Sequence, residues 1–144
     1  MRAVNPSRDE DSSPVGTLSD RLFEGELTRR ILAAAAEVHG SLGPGLPEAA
    51  YVAALAHEFS IQELAHRRAL SIQMTYKGVP VDGRYAIDFV VEGRALILVR
   101  CADGIRDLHR SELLLCLKQS RIRLGLILNF RVASLVQGVF RKVV

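Results

Sequence analysis

The 144-residue sequence predicts an α/β fold, a single domain with a mixed central sheet flanked by helices. Three observations predict it. Apolar residues recur at helical spacing through the first third of the chain, the period changes to two near residue 69, and beyond residue 100 a helical pattern separates two apolar runs. A helix between two buried strands is what a parallel pair needs to connect its ends.

A chain of this length supports one apolar core, and 49% hydrophobic with 24% charged residues belongs to the soluble globular class. The longest apolar stretches, residues 31 to 36 and 95 to 99, fall far short of the roughly 20 residues that cross a bilayer, so no membrane partner is expected. The opening MRAVNPSRDEDSSPVG contains no apolar segment of signal-peptide length, which makes a cytoplasmic location the expectation. Residues 1–17 read as a disordered tail because almost nothing in them can be buried. The domain is expected over residues 18–144.

Leu27, Ile31, Ala34, Ala35, Val38 and Leu42 set a first helix, from about residue 18 or 24 to residue 42, with a small-residue face suited to close packing. Gly43-Pro44-Gly45 breaks it. Pro47 suits the first position of a second helix, since its fixed φ is helical and its missing N–H costs nothing there. This helix is expected to run to about residue 65, with Val52, Leu55 and Phe59 as its apolar stripe. Residues 69 to 76 and 84 to 91 then read as strands around a loop at 77–83, and Glu92-Gly93-Arg94 as a tight hairpin turn. The strand at 95–101 is apolar enough to be covered on both faces. A third helix is expected over about 107–121, with Leu113, Leu114 and Leu117 inward and Glu112, Lys118 and Arg121 toward solvent. Residues 123 to 129 form another buried strand, and VASLVQGVFRKVV a turn followed by a short strand.

The net charge of +3 conceals an asymmetry: residues 1–93 carry 9 Lys/Arg against 13 Asp/Glu, while residues 94–144 carry 10 against 3. Arg100, Arg106, Arg110, Arg121 and Arg123 in the basic part offer a phosphate-facing surface; the competing reading is a solvated charged face. Cys101 and Cys116 are too few for a disulfide framework and lack zinc-ligand spacing, so both read as small buried apolar residues.

The chain resembles the GxxExxY proteins, a group within the PD-(D/E)XK, or restriction-endonuclease-like, nuclease superfamily. The naming motif reads Gly45-Leu46-Pro47-Glu48-Ala49-Ala50-Tyr51, and the blocks AAAAEVHGSLGPGLPEAAY, MTYKGVPVDGRYAIDFVVEG and LGLILNF follow in the group's order and spacing. The resemblance spans about residues 27 to 144 and implies a restriction-endonuclease-like fold. It also implies a chemistry, in which a helix Glu, a strand Asp and the acid of an acidic-x-Lys motif hold Mg²⁺ that activates water and neutralises charge on phosphate.

Carried over by position, Glu48 matches the helix carboxylate and Asp88 the strand carboxylate, and these two are the weak metal candidates. Glu48 lies three, four and seven residues before Tyr51, Val52 and Leu55, on the side of the helix expected to face the sheet. The acidic-x-Lys positions fall on Leu98 and Arg100. Where relatives place a Gln and an aromatic on the following helix, the matching positions are Glu112 and Cys116. Leucine offers no oxygen, and with the strands closing across Val91 and Ala95 it stands opposite Asp88. Arginine stays protonated and cannot act as a base, though it can hold a carboxylate or phosphate. For Asp88 the alternative to a metal is an ion pair with Arg100; for Glu48 it is a first-turn glutamate complementing the helix dipole. His39 and His109 read as hydrogen-bonding or helix-end residues, and Tyr51 as a packing residue with its hydroxyl near the site.

The expectation is therefore a degenerate nuclease domain with no intact catalytic set and no cofactor, working as a binding or homo-oligomeric assembly module. Two alternatives stay open. One is an Mg²⁺-dependent nuclease with a rearranged site, using Glu112; the other is a non-cleaving nucleic-acid binder built on the five arginines.

Overall fold

The computed structural model describes residues 18–144, with side chains from residue 25 onward. The expected tail at 1–17 lies outside the described residues. The elements are α1 (Leu18–Leu42), α2 (Glu48–Ile61), β1 (His66–Tyr76), β2 (Val79–Val91), β3 (Ala95–Arg100), α3 (Asp107–Ser120), β4 (Leu124–Asn129), a 3₁₀ turn (Leu135–Gly138) and β5 (Val139–Val143). They build one five-stranded sheet in the order β1-β2-β3-β4-β5. β1, β2 and β3 run antiparallel as a meander, β3 and β4 are parallel across the α3 connection, and β5 returns antiparallel. The predicted order of elements and the α/β class are those observed.

Alternation along β3 and β4 divides the core in two. Ala95, Ile97, Val99, Leu124, Leu126 and Leu128 face α1 and α2, where Ile31, Ala34, Ala35, Tyr51, Leu55 and Phe59 meet them. Leu96, Leu98 and Ile127 face α3, against Leu113, Cys116 and Leu117. Both strands are covered on each side, which is why neither shows a polar alternation. Each fully buried aliphatic side chain contributes about 1.5–3 kcal/mol. Gly125 sets how closely α3 approaches: a Cβ there would lie 2.8 Å from Leu113 Cδ1 and 2.9 Å from Leu117 Cδ1.

Besides the start of β1, at His66 instead of residue 69, three boundaries differ from expectation. Pro47 is the N-cap of α2, with extended backbone (φ −66°, ψ 155°), and Glu48 is the first helical residue. The helix ends at Ile61 instead of residue 65 because Glu63 adopts the left-handed conformation (φ 59°). The Glu63 N–H donates to the Ser60 carbonyl and the Leu64 N–H to the Phe59 carbonyl, at 3.1 and 2.8 Å, which closes the helix as a Schellman motif. Third, the loop expected at 77–83 is mostly strand. β1 and β2 continue outward as a two-stranded ribbon to a turn at Lys77 and Gly78, with a shift in pairing between Gln73 and Thr75 that takes up Val81, Asp82 and Gly83, while Pro80 pairs with Thr75. The Glu92-Gly93 hairpin is present, with φ 56° and 68° and the Arg94 N–H donating to the Val91 carbonyl at 3.0 Å.

Candidate functional site

The site forms where β2 and β3 separate. Their recorded pairing is Val91 with Ala95, Val90 with Leu96 and Phe89 with Ile97; one step further, the same register sets Asp88 opposite Leu98. The main-chain ladder stops at that step. In an undisturbed ladder the Val99 N–H would be answered by a carbonyl of β2; instead Asp88 Oδ2 accepts it at 2.7 Å. On the other side of β2 the residue opposite Asp88 is Ala69, which is unpaired within β1 and left-handed at φ 55°. Asp88 therefore sits at a double interruption of the sheet, and its carboxylate substitutes for a peptide carbonyl.

Arg100, at the end of β3, lies between two acids. Its Nη1 is 3.6 Å from Asp88 Oδ2 and its Nη2 is 3.6 Å from Glu112 Oε1 on α3, while Nη1 also donates to the Val99 carbonyl at 2.7 Å. Asp88, Arg100 and Glu112 are each about one-quarter exposed. Glu112, expected toward solvent on α3 and also as the further carboxylate of the vestigial site, lies against the guanidinium because α3 packs close to the sheet. Burial pushes the Asp88 carboxyl above its ordinary range, outweighing the Val99 N–H and the positive charges of Arg100 and Arg68. Below it, Leu98 is only 1% exposed, packed with Ile87, Leu113 and Leu117. Cys116 lies in the same layer, its thiol pushed up to about 11, chiefly by burial.

Glu48 comes from the opposite face of the sheet, near the end of β3. It is exposed at the first turn of α2, where it complements the helix dipole. Tyr51 and Leu55 of that helix are buried, but Glu48 precedes them by a turn and lies beyond the packed stripe. α2 and α3 cover opposite faces of the sheet, and no hydrogen bond or ion pair among the described residues joins Glu48 to Asp88. The electrostatic neighbour of Glu48 is Cys101, whose thiol is raised by burial first and by this carboxylate second.

Tyr51 is fully buried and stacks on Phe130, centroids 4.6 Å apart. Its hydroxyl donates to the Gly43 carbonyl and accepts the Leu46 N–H, so it pins the Gly43–Leu46 loop. His39 donates from Nε2 to the Val132 carbonyl at 2.8 Å, and His109 Nδ1 accepts the Arg106 N–H at 2.9 Å to cap α3. Asn129 escaped the sequence reading. It is 1% exposed, its Oδ1 accepts the N–H groups of Ala102 and Arg131, and its Nδ2 donates to the Ala102 carbonyl. These bonds fix the chain just after Arg100; the available signal was a polar residue closing an otherwise apolar strand.

The five arginines are spread over the end of β3 and both ends of α3. Arg106 and Arg110 begin α3, and Arg110 is held by Asp107 at 2.6 Å and lies over the Phe140 ring. Arg121 and Arg123 follow the far end of that 14-residue helix, roughly 20 Å away. Arg123 there donates to the Val144 carbonyl.

A five-stranded mixed sheet with helices on both faces is consistent with a restriction-endonuclease-like domain. A family model described as the PD-(D/E)XK nuclease superfamily matches residues 25–142, and the chain belongs to that superfamily. Comparison with curated proteins gave no match, and neither did comparison with solved structures. No helix among the described residues is long and apolar enough to cross a membrane.

The divalent ion that such nucleases employ needs several oxygen ligands. The residues present do not fit it. Leu98 supplies none, Asp88 already receives a peptide N–H and a guanidinium, and Glu112 is turned toward the same guanidinium. Among the described residues no group of three His, Cys, Asp or Glu side chains is placed to hold a metal ion.

Proposed function

We propose that this chain is a catalytically degenerate member of the GxxExxY group that acts through binding or homo-oligomeric assembly, without phosphodiester cleavage. The observation that carries the reading is the buried hydrocarbon at Leu98, where the acidic-x-Lys motif needs a carboxylate. Arg100 in the lysine's position retains charge and loses proton chemistry. With no carboxylate at position 98 and no base at position 100, the remaining acids have no means to generate hydroxide at neutral pH.

The assembly part of the proposal draws on the outer end of the β1–β2 ribbon. Tyr76, Val79 and Val81 are 63%, 58% and 40% exposed there, close together on one projecting feature.

The test is cleavage. The protein is incubated with single- and double-stranded DNA over a titration of Mg²⁺ or Mn²⁺, alongside Asp88→Ala. No scission above background is expected from either chain. Metal-dependent scission that vanishes in Asp88→Ala would establish a working nuclease in place of the degenerate one.

A further inference from the structure

We infer that copies of this chain assemble tip to groove, a contact that rests on the assembly reading above and names the surface that receives the ribbon: Tyr76 of one copy enters an apolar groove that a second copy forms between α1 and the 3₁₀ turn. The groove has a volume of about 400 Å³ and is lined by Leu32, Ala36, His39 and Gly40 of α1, with Leu135 and Val139 across from them. Ligand sites span about 300–1,000 Å³, so this one is sized for an aromatic side chain and a neighbour. Small residues on α1 leave the space open. Ala36 and Gly40 are exposed, and a Cβ added at Gly40 would meet no atom within 4 Å.

The groove contains one polar group with a specific need. His39 is 9% exposed and its Nε2 donates to the Val132 carbonyl, which leaves Nδ1 as the unprotonated, accepting nitrogen. No hydrogen bond among the described residues reaches Nδ1. An apolar group that ends in a donor satisfies both the lining and this nitrogen, and a phenol is such a group. Of the three tyrosines, Tyr51 is fully buried and Tyr85 packs in the α3 layer, whereas Tyr76 is presented at the ribbon end beside its cross-strand partner Val79. Charge at the rim agrees. Lys77 follows Tyr76, its ammonium 5.4 Å from that ring, and Glu37 is exposed on α1 between Ala36 and Gly40. A chain does not fill its own groove, because the tip belongs to β1 and β2 at one margin of the sheet and Val139 to β5 at the other, about 19 Å away. The contact is therefore heterologous, with one copy giving its tip and the next its groove.

Sedimentation velocity is run on the native chain, a tip variant (Tyr76→Asp with Val79→Asp), a groove variant (Ala36→Glu with Gly40→Glu), an equal mixture of the two variants, and Tyr76→Phe. The native chain is expected to gain mass with concentration, since so small an interface gives weak association. Each variant alone should sediment as one copy. The mixture should form a pair and stop there, because one intact tip and one intact groove remain, and that recovery also shows that both variants are folded. Gly40→Gln, which adds volume at an open position without charge, should weaken association in the same direction as the groove variant. Tyr76→Phe should weaken it about fivefold through loss of the bond to His39. A tip or groove variant that assembles as the native chain does, a mixture that stays at one copy, or a Tyr76→Phe chain that matches the native one would overturn the inference and leave the assembly reading standing. A native chain that sediments as one copy at every concentration would instead remove the assembly reading itself.

Discussion

Asp88 carries more of the local architecture than a vestigial acid would. Its carboxylate completes the β2–β3 ladder through the Val99 N–H and is paired with Arg100, yet burial dominates and raises its proton affinity. That direction has a consequence for stability. A carboxyl whose folded value lies above its ordinary 3.8 keeps its proton over a range where the unfolded chain has released it. Its contribution to stability is therefore full at low pH and declines as pH rises from about the unfolded value through the folded one. Asp88→Asn has no such titration. Urea midpoints of the two chains, compared from about pH 3 to 7, should show the native chain losing ground to Asp88→Asn as pH rises, with a plateau above the folded value. A native chain that gains on Asp88→Asn over that range would mean that the ion pair, and not burial, governs the group.

At the scale of elements, the end of α2 shows how a local choice escapes the sequence. Glycine is the usual left-handed residue that closes a helix. Here Glu63 does so at φ 59°, exposed, while Leu64 is buried at 2% beside Phe59. Replacing Glu63 with Gly should relieve the left-handed cost, about 1–2 kcal/mol, less the greater freedom that Gly has in the unfolded chain. A net gain of about 0.5–1 kcal/mol in chemical denaturation is expected; a loss would show that the Glu63 side chain has a role in the closure. The same reasoning explains what was legible. Periodicity in Leu27 to Leu42 and the apolar runs of β3 and β4 gave the order of elements, and the turn at Glu92-Gly93 gave the register that sets Asp88 against Leu98. Pro80 and Gly83 looked like loop residues because the sequence does not reveal that a ribbon can pair Pro80 with Thr75 and absorb Gly83 in a pairing shift. The contact between Glu112 and Arg100 depends on how near α3 comes to the sheet. That distance is set by Gly125, one small residue inside an apolar run, and by the tertiary packing of Leu113 and Leu117 on it. Asn129 was passed over for a related reason: its partner Ala102 is a neighbour only after β3 and β4 pair.

For the whole molecule, charge and shape argue differently about partners. The excess of basic residues after residue 93 suggested a nucleic-acid surface; of the five arginines named for it, Arg100 is engaged by Asp88 and Glu112 and Arg110 by Asp107. The proposed assembly has a simple check. Light scattering on the purified chain should return a mass above the 15.8 kDa of one copy, and Tyr76→Asp with Val79→Asp should lower it toward that value. A native chain that scatters as a single copy at all concentrations would discard the assembly proposal while leaving the degenerate site untouched.

The two margins of the sheet are unequal. Both carry two adjacent basic residues, Arg141 and Lys142 on β5 and Arg67 and Arg68 on β1, but β5 is five residues long whereas β1 offers eleven, interrupted at Ala69 and near Met74. Contact made along β1 alone would meet the same margin of another copy. Such a contact is two-fold and uses itself up: it yields closed pairs, and strand-by-strand growth into a filament has no second margin from which to continue.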